Sequence, residues 1–381
     1  MSEDKPLKVL YVVSIDAPTS IPLEAAGKIA ELSCKYNILF TTATYYKQTN
    51  TKLKTDFVDD LVELNFSKSY NLKNIKSYYQ LIKKLKPDII HLHHGVSAFQ
   101  GAVLGRLAGV KFIFKTEHNN HKFYKWYQKI LTVPVFLLTS RIICNSKSTQ
   151  LSYYPWEKRI ADSKSTYVYN GINLSDIDKA VRAENKNILR IKYNISNADT
   201  LFVSVGRLIP QKNYERLIKA IITVCKRNKN IKLIIVGGGS KEETLKKMIS
   251  ENHMEQNIFV TGLVPRCQVY QFVNACDFFI ISSLWEGFCN SLVEAMAVGK
   301  PILSSDIETL REVAGDASID FFNPYSVKSI EDSISKAVSM SDEERRLFSA
   351  AAKKRAIENF TLERTAERYI TEYKKAMQFN G

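Results

Sequence analysis

Cysteine is scarce and scattered in this sequence. Six cysteines occur among 381 residues, none belongs to a CxxC pair, and no cysteine and histidine cluster has zinc-ligand spacing. The positions are Cys34, Cys144, Cys225, Cys267, Cys276 and Cys289. This usage indicates reduced thiols in a cytosolic protein.

Long apolar runs are absent as well. No run reaches the ~18 residues that a membrane-spanning helix needs. The charged start MSEDKPLKVLYVVSID also lacks the hydrophobic region of a signal peptide. We therefore expect a cytoplasmic protein, with any membrane contact being peripheral and on the cytoplasmic face.

Several nucleotide-binding and hydrolase motifs are missing too. The sequence has no G-x-x-x-x-G-K-[ST], no G-x-S-x-G and no H-E-x-x-H. Gly237, Gly238 and Gly239 follow an apolar run and predict a tight turn that lets a ligand approach, but the full G-x-G-x-x-G is not there. These absences weigh against a dinucleotide-dependent enzyme.

Acidic residues are outnumbered by basic ones. The formal net charge is +15, of which +12 lies in residues 1–190 and +3 in the rest. A one-sided basic field suits an anionic partner: phospholipid, nucleic acid or a phosphorylated substrate. The composition is otherwise globular, with 45% hydrophobic and 24% charged residues, and the length most simply gives two domains.

Short β-branched runs alternate with longer amphipathic stretches along both halves. Runs such as Val9–Ser14 and Leu201–Val205 are almost continuously apolar, as strands buried on both faces of a parallel sheet are. Amphipathic stretches such as Leu72–Leu85 lie between them. The pattern predicts two parallel-sheet α/β domains joined by a polar linker at Asn173–Asp199, with a ligand cleft at the carboxyl ends of the strands.

Two cations follow the apolar run Leu201–Val205. Arg207 and Lys212 lie five residues apart, just after Gly206. A glycine lets the backbone turn, and an arginine fork with a lysine point charge on one loop suits a diphosphate. The alternative is a solvated loop with two surface cations, and the spacing alone leaves both open.

Two carboxylates frame a predicted helix start in the segment WEGFCNSLVEAMA. Asn290 or Ser291 can cap a helix there, and the N–H groups of its first turn would form an anion site. Glu286 precedes this helix, and Glu294 lies about a turn into it. Carboxylates beside an anion site suit a ligand with hydroxyls, such as a sugar or ribose. The alternative is a capped helix with a dipole-favoured glutamate.

Histidines end two of the predicted strands. His118 follows the run KFIF closely and can donate to a sugar hydroxyl or stabilise charge. A metal site at His118 and His121 lacks a nearby cysteine or carboxylate pair to complete it. For His91, His93 and His94 we expect packing and loop hydrogen bonds.

The stretch His121–Leu138 interleaves basic and aromatic residues at helical spacing. Its basic residues are Lys122, Lys125 and Lys129, and its aromatic residues include Phe123, Tyr124, Trp126 and Tyr127. This pattern fits a helix on an anionic membrane surface. The alternative is a core-packed helix with a basic outer face. No RNA- or DNA-binding signature is present, so no nucleic acid is expected.

Together these segments resemble the retaining glycosyltransferases of family 4, which have the GT-B fold of two Rossmann-like parallel-sheet domains facing a cleft. SVGRLIPQKNYERLIKA resembles the donor-diphosphate loop and helix of that family. EGFCNSLVEAMAVGKPIL resembles its E-x7-E signature, with Glu286 and Glu294 as the two acids. Shorter likenesses are DIIHLHHG, KTEHNN, ICNSK, YNGIN, VTGLVP and SSDIETLREV.

The resemblance implies a role for each matching residue. Arg207 and Lys212 would bind the donor diphosphate and stabilise the leaving group. Glu286 would contact hydroxyls of the transferred sugar, and Glu294 those of the nucleotide ribose. His118 would lie by the transferred sugar. The other donor-binding positions would be Val264 beside the base and the backbone N–H groups of Phe288, Cys289, Asn290 and Ser291.

The resemblance also implies an organisation and a reaction. Residues 1–185 would form the acceptor-side domain, residues 186–360 the donor domain, and residues 361–381 a helix crossing back to the first. The reaction would be metal-independent, retaining transfer from a UDP- or GDP-linked sugar to a glycan acceptor, with no cofactor beyond the substrate. The basic N-terminal half favours a lipid-linked acceptor or a surface polysaccharide under synthesis.

Two segments depart from the family pattern. The first βα loop reads APTSIPLE at 17–24 where a Gly-Gly pair is usual, and Cys289 stands where Gly or Pro is commoner. Two other functions are weighed against transfer. A sugar-nucleotide 2-epimerase would share the architecture, but the charge asymmetry on the acceptor side opposes it. A basic nucleic-acid-binding protein would leave the two glutamates and the Arg/Lys loop unexplained.

Overall fold

The computed structural model describes residues 5–14, 20–46, 61–66, 72–183 and 186–378. The chain divides into two compact units. The first comprises Met1–Gly171 together with Leu362–Gly381, and the second comprises Ile172–Thr361. The unusual loop at 17–24 lies partly outside the described residues, because residues 15–19 are not among them.

The first unit alternates strands with helices. Its elements are β1 (Leu7–Val13), α1 (Ile21–Ser33), β2 (Ile38–Tyr46), β3 (Leu61–Phe66), α2 (Leu72–Leu85), β4 (Ile89–Leu92), α3 (Gly95–Leu107), β5 (Phe112–Glu117), α4 (Trp126–Leu138), β6 (Arg141–Cys144), α5 (Lys147–Leu151), α6 (Pro155–Ala161) and β7 (Ser165–Tyr167). The seven strands form one parallel sheet in the order β3-β2-β1-β4-β5-β6-β7.

Residues of β1 alternate between two buried layers. Val9, Tyr11 and Val13 pack with residues of α1 on one face of the sheet. Leu10 and Val12 pack on the other face with residues of α2 and α3. Both faces of the central strand are therefore covered, which explains its almost continuous apolar sequence.

The second unit repeats the alternation. Its elements are α7 (Leu174–Ala183), α8 (Lys186–Lys192), β8 (Thr200–Val205), α9 (Tyr214–Arg227), β9 (Ile231–Val236), α10 (Glu242–Glu251), β10 (Ile258–Val260), α11 (Arg266–Ala275), β11 (Phe278–Ile281), α12 (Asn290–Val298), β12 (Ile302–Ser305), α13 (Glu308–Ala314), β13 (Ser318–Phe322), α14 (Val327–Val338) and α15 (Asp342–Asn359). Six parallel strands are ordered β10-β9-β8-β11-β12-β13. Two parallel-sheet α/β domains, as the sequence predicts, are therefore present.

The last helix, α16 (Leu362–Gln378), belongs to the first unit and packs against α1. Tyr369 and Tyr373 are buried in the core layer that also holds Tyr11. Tyr373 OH lies 2.6 Å from His91 Nδ1, and Tyr369 OH lies 3.3 Å from Thr116 Oγ1. The helix thus contacts polar residues of the neighbouring strands β4 and β5.

The predicted linker at Asn173–Asp199 is wrong, because most of this stretch is helical and packs on the second unit. Both α7 and α8 contact α11, and α7 also contacts α12. Arg190 of α8 is buried, and its guanidinium donates to the Ala275 carbonyl oxygen at 3.4 Å and to Asp277 Oδ2 at 3.2 Å. The polar composition is that of two helices with a solvated outer face. The division after Gly171 thus precedes the predicted domain boundary at 185.

The glycine triplet after β9 is required by close backbone packing. A Cβ on Gly237 would lie 2.1 Å from the Gly206 carbonyl oxygen, and one on Gly239 would lie 2.6 Å from the Leu208 carbonyl oxygen. Gly237 also has a φ of +141°, which a residue with a side chain rarely adopts. The loop after β8 can lie against the loop after β9 because these side chains are missing.

We expect Gly237→Ala to lower the free energy of unfolding by about 1–3 kcal/mol, because the new methyl group meets backbone and the φ is strained. Gly95→Ala is the matched control, since no atom lies within 4 Å of a Cβ placed there. Urea titrations followed by circular dichroism measure both. Equal stability of the two variants would contradict the packing argument.

Candidate functional site

The loop after β8 is shaped around one lysine side chain. A Cβ on Gly206 would lie 2.9 Å from both Lys212 Cε and the Tyr214 hydroxyl. The side chain of Lys212 therefore passes over Gly206 in space that only glycine leaves open. The loop ends in a short 3-10 turn, Pro210–Lys212, followed by Asn213 in the left-handed region at a φ of +57°.

Lys212 and Glu286 form a buried ion pair. Lys212 Nζ lies 2.6 Å from Glu286 Oε1, and the two side chains are only 12% and 8% exposed. The Ser283 hydroxyl donates to the same oxygen at 2.6 Å. Gln211 Nε2 lies 3.4 Å from Glu286 Oε2 and donates to the Trp285 carbonyl oxygen at 2.8 Å. The structure thus joins two predicted site residues that the sequence treats separately.

The electrostatics of this pair favour a protonated lysine. Burial by itself disfavours the ammonium form of Lys212, but the Glu286 carboxylate outweighs it and raises the pKa of Lys212 above its ordinary value. A buried ammonium has three N–H donors, and Glu286 takes one of them. The arrangement fixes a charged nitrogen at the carboxyl end of β8.

Arg207 differs from Lys212 in its surroundings. It is exposed, and its guanidinium makes no hydrogen bond or ion pair with any residue that the structure describes. The loop after β8 therefore carries one neutralised, buried cation and one unneutralised, exposed cation. An anion that approaches this loop gains most from Arg207, because the Lys212 charge is already shared with Glu286.

The N-cap of helix α12 is Cys289, one residue before the first of the two predicted caps. Neither Asn290 nor Ser291 is the capping residue, because the helix starts at Asn290 and Cys289 precedes it. Cys289 has a φ of +80° and a ψ of +74° and provides no side-chain cap. Its side chain is buried, and burial together with the nearby Glu286 raises the pKa of its thiol to about 12. The thiol is therefore neutral at physiological pH.

Glu294 has a separate set of partners. It is buried, and its Oε1 accepts from Arg266 Nη2 at 2.9 Å and from the Tyr270 hydroxyl at 3.3 Å. Its Oε2 has no hydrogen bond to the described residues. Arg266 begins α11, two residues after Val264, which is half-buried. The structure therefore does not bring Glu294 to the same partners as Glu286.

The side chain of Phe288 is unavailable to a ligand. It is 2% exposed, and its ring packs edge-on against Phe360 at 5.5 Å between centroids. Ser291 is half-buried, with its hydroxyl 3.6 Å from Cys289 Sγ. The side chain of Phe288 therefore cannot take part in binding, and the role expected for its backbone N–H group stays a prediction.

His118 lies in the first unit, directly after β5, within a group of imidazoles. His118 Nε2 is 3.1 Å from His93 Nδ1, and its ring stacks on that of His94 at 5.2 Å between centroids. His93 stacks in turn on His91 at 4.5 Å. The expectation of packing and loop hydrogen bonds for His91, His93 and His94 did not include this bond to His118.

All four imidazoles are held neutral. Burial is the largest cause, and it lowers the pKa of His91, His93 and His118 well below 6.5 and that of His94 to about 4. The buried ammonium of Lys115 adds to the effect on each of them. Lys115 Nζ donates to the His93 carbonyl oxygen at 2.9 Å.

A buried network of alternating charges lies next to the imidazoles. Glu117 Oε1 is 3.1 Å from Lys115 Nζ, and its Oε2 accepts from the Tyr124 hydroxyl at 2.8 Å and lies 3.5 Å from His121 Nε2. His121 Nδ1 is 2.9 Å from Glu157 Oε1. Both carboxylates raise the pKa of His121, although its burial acts in the opposite direction. The two carboxylates thus favour the protonated form of His121.

No group of three or more His, Cys, Asp and Glu side chains in the described ranges is arranged to hold a metal ion.

Several partners of the site residues were not predicted from the sequence: Gln211, Ser283, Arg266, Tyr270, Lys115 and Glu157. Gln211 and Ser283 lie within three residues of Lys212 and Glu286, so proximity was a usable signal for them. Arg266 and Glu157 carry no signal in the sequence, because tertiary packing selects them.

The helix α4 presents apolar side chains to solvent. Trp126, Ile130 and Leu137 are 74%, 61% and 63% exposed. The ammonium group of Lys129 is engaged with Tyr154: its Nζ donates to the Tyr154 hydroxyl at 2.8 Å and lies 4.2 Å from the centre of that ring. Within the described residues, no helix combines the length and apolar character needed to cross a membrane.

Two family models match this chain. The model of glycosyl transferases group 1 matches residues 185–355, and that of Glycosyltransferase Family 4 matches residues 46–176. Together they cover most of the sequence. The chain therefore belongs to the group 1 glycosyltransferases of the family 4 type, as its motifs indicate.

Individual relatives agree with this placement. An uncharacterized glycosyltransferase of Methanocaldococcus jannaschii is 27% identical over 253 residues, which are 62% of this chain and 60% of that protein. The UDP-Gal:alpha-D-GlcNAc-diphosphoundecaprenol alpha-1,3-galactosyltransferase of Escherichia coli is 29% identical over 66% of this chain and 68% of its own. This chain thus spans about three fifths of the archaeal protein.

Solved structures confirm the fold class. HepE of Anabaena in complex with UDP superposes with a TM-score of 0.79 at 16% identity, covering 97% of this chain and 100% of that one. Sucrose-phosphate synthase from Thermosynechococcus elongatus gives 0.79 at 14% identity over 98% and 99%. The predicted GT-B architecture is confirmed by this likeness.

We expect the stability conferred by His121 to depend on pH. Its folded-state pKa is raised, so its contribution is complete below the unfolded value of about 6.5 and is lost as pH rises through the folded value. At pH 6, His121→Gln leaves two buried carboxylates without this cation and should cost about 3–5 kcal/mol. The difference from wild type should shrink as pH rises above neutrality.

Urea titrations from pH 6 to pH 9, followed by tryptophan fluorescence, measure this difference. The exposed His253 supplies the control substitution His253→Gln, which should change little. A difference between wild type and His121→Gln that does not vary with pH would show that His121 is not a buried cation.

Proposed function

We propose that this protein transfers a sugar from a nucleotide-diphosphate-sugar to a glycan acceptor, with retention of the anomeric configuration. The observation that carries the proposal is the loop after β8, which combines the exposed Arg207 with the Lys212–Glu286 pair. A diphosphate needs more positive charge than a neutralised pair supplies, and Arg207 supplies it. Arginine also matches phosphate oxygens with two parallel N–H donors.

The start of α12 would hold the diphosphate and sugar from a second direction. A helix leaves the N–H groups of its first turn without intrahelical acceptors, and these favour an anion. We assign this contact to the backbone of Phe288, Cys289, Asn290 and Ser291. Glu286, in the loop that leads into α12, would accept hydrogen bonds from hydroxyls of the transferred sugar at Oε2, while its Oε1 remains bound to Lys212.

Glu294 would bind the nucleotide ribose. Its Oε1 is occupied by Arg266 and Tyr270, which fix the direction of the carboxylate. A ribose hydroxyl would donate to Oε2, and Val264 would lie beside the base. UDP is the nucleotide we favour over GDP, since HepE is solved with UDP and with UDP-glucose and the Escherichia coli relative is named for UDP-Gal.

The chemistry follows from these charges. The bond between the anomeric carbon and the diphosphate oxygen breaks, and positive charge develops on the sugar as negative charge develops on the leaving diphosphate. Arg207, Lys212 and the N–H groups at the start of α12 stabilise the departing diphosphate. They take the role that a metal ion plays elsewhere, so we propose a metal-independent reaction. The acceptor hydroxyl then attacks the face that the diphosphate leaves, and its proton passes to an oxygen of the departing diphosphate. His118 donates to an oxygen of the sugar.

A lipid-linked acceptor is the class we favour. The Escherichia coli relative is named for a diphosphoundecaprenol acceptor, and another relative is the alpha-monoglucosyldiacylglycerol synthase of Acholeplasma laidlawii, 26% identical over 60% of this chain. The exposed apolar side chains of α4 lie in the half of the sequence that carries most of the net positive charge. We propose that this helix rests on an anionic membrane surface, with Lys122 and Lys125 at its start.

We expect calorimetry to show that UDP binds the wild-type protein more tightly than GDP or ADP. Arg207→Ala and Glu294→Ala should each weaken UDP binding by at least about tenfold, or 1.4 kcal/mol. Lys226→Ala, an exposed cation at the end of α9, is the matched control and should bind UDP normally. Equal UDP affinity of Arg207→Ala and wild type would remove the diphosphate assignment.

The stability of Lys212→Ala must be measured alongside its UDP affinity, because the substitution leaves the Glu286 carboxylate buried without its cation.

Product analysis separates transfer from epimerisation. Release of UDP that requires an added lipid-linked glycan indicates a transferase. Conversion of one UDP-sugar into another without acceptor would instead establish the epimerase alternative.

We expect the double variant Trp126→Ser, Ile130→Ser to bind phosphatidylglycerol-containing vesicles at least about tenfold more weakly. The reason is that burying each apolar side chain in the membrane would contribute about 1.5–3 kcal/mol of binding free energy. Co-sedimentation with vesicles measures this. Leu347→Ser, at an exposed apolar residue of α15, is the control. Lys122→Glu with Lys125→Glu should reduce binding to anionic vesicles more than to phosphatidylcholine. Unchanged binding of both double variants would eliminate the membrane role of α4.

A further inference from the structure

The imidazole group of the first unit contains one histidine that cannot itself reach a ligand. His93 is 2% exposed, with Tyr11 at 4.3 Å and His91 at 4.5 Å between ring centroids. It directly follows β4, while His118 directly follows the neighbouring strand β5. Within the residues that the structure describes, its one side-chain hydrogen bond is the 3.1 Å contact from its Nδ1 to His118 Nε2. Any role of His93 in the reaction must therefore act through His118.

A hydrogen bond between two neutral imidazoles needs one N–H and one lone pair, so it couples the tautomers of both rings. The other nitrogen of His93, Nε2, is buried and has no partner among the described residues. If His118 were the donor, the proton of His93 would be on Nε2, and this buried N–H group would have no acceptor among the described residues. If His93 is the donor, it buries only a lone pair. Orphan buried N–H groups are the rarer case in proteins, so His93 is the donor.

The tautomer of His118 follows from this assignment. Its Nε2 accepts from His93, so its single proton is on Nδ1. A second proton is disfavoured by burial, by the neighbouring His94 and by the Lys115 ammonium, which lower the pKa of His118 well below its ordinary value. His118 is therefore a neutral donor with its N–H on a known atom.

The ring plane of His118 is fixed as well. His94 stacks on it with an interplanar angle of 14°, and His94 is held in turn by the backbone N–H of Ser14, which donates to its Nδ1 at 3.3 Å. Stacking leaves the ring free to rotate within its plane, and the bond from His93 removes that freedom. Two contacts from two different histidines thus determine where His118 Nδ1 points.

We propose that His93 is a positioning residue for the transfer reaction: it sets the tautomer and orientation of His118, so that the Nδ1–H of His118 donates to an oxygen of the transferred sugar. This inference rests on the proposed function of His118. The residue that touches the substrate is His118, and His93 fixes the donor before the substrate arrives, which lowers the cost of reaching the transition state.

Two isosteric substitutions separate this role from simple packing. In His93→Asn the amide nitrogen takes the place of Nδ1 and can still donate to His118. In His93→Gln the amide takes the place of Nε2 and cannot. We expect His93→Gln to lower kcat by about 10–100-fold with a smaller change in the donor KM, and His93→Asn to recover most of kcat. Circular dichroism and thermal unfolding establish that both variants fold.

A second measurement tests the inference without any activity. In protein labelled with 15N-histidine, the nitrogen shifts of His118 should show a protonated Nδ1 and an unprotonated Nε2 in the wild type and in His93→Asn. In His93→Gln they should average between tautomers. His91→Gln is the control, since His91 bonds to Tyr373 and Thr116 and should leave the His118 signals in place.

The outcomes distinguish a failure of the positioning role of His93 from a failure of the proposed function. A wild-type His118 that carries its proton on Nε2, or a folded His93→Gln with wild-type kcat, would overturn the role of His93. If the expected tautomer is found but the protein transfers no sugar from any nucleotide-sugar, the proposed function fails, and the positioning role in transfer falls with it. Loss of kcat in His93→Gln, its recovery in His93→Asn and the expected tautomer together support it.

Discussion

The second unit depends on the buried ion pair between Lys212 and Glu286. Burying two charges costs desolvation free energy unless a close contact and further hydrogen bonds offset it. Here the 2.6 Å contact of the pair and the hydrogen bond from Ser283 offset this cost. The pair in turn imposes glycine at 206, because the lysine side chain occupies the volume of a Cβ there. Glycine at 237 follows from the same loop, since its backbone lies against the carbonyl oxygen of Gly206. The Lys212 side chain and close backbone packing thus constrain glycines in two successive βα loops.

The first unit meets the opposite electrostatic requirement, that of keeping imidazoles uncharged. Burial does most of this, and the Lys115 ammonium beneath the rings adds to it. Lys115 is compensated by Glu117, so the cation does not destabilise the unit in which it is buried. Three residues after His118, His121 lies between Glu117 and Glu157, and these two carboxylates favour its protonated form. The surroundings of two histidines three residues apart therefore shift their pKa values in opposite directions, which the sequence TEHNNH cannot reveal because Glu157 comes from a distant helix.

Sequence reasoning succeeded where the decisive signal is local. An apolar run located β8, the strand before the loop of Arg207 and Lys212, and helix α2 lies where periodicity predicts it, because such patterns are properties of a single segment. It failed at Asn173–Asp199, where a polar stretch is two helices fastened by Arg190, a contact visible only in three dimensions. It also treated Glu286 and Glu294 as one pair, whereas their partners come from different segments: Lys212 from the loop after β8 and Arg266 from the start of α11.

Cys289 carries a side chain at a left-handed backbone position that suits glycine. A left-handed backbone costs a residue with a side chain about 1–2 kcal/mol relative to glycine, which accounts for the commoner glycine. The thiol at this position is buried, so part of that cost is offset by apolar contact. Its ionisation is suppressed by burial and by Glu286, which raise its pKa to about 12. An uncharged thiol adds no repulsion toward a phosphate at the start of α12. At this residue the chain thus combines a left-handed backbone with a side chain that is small and neutral.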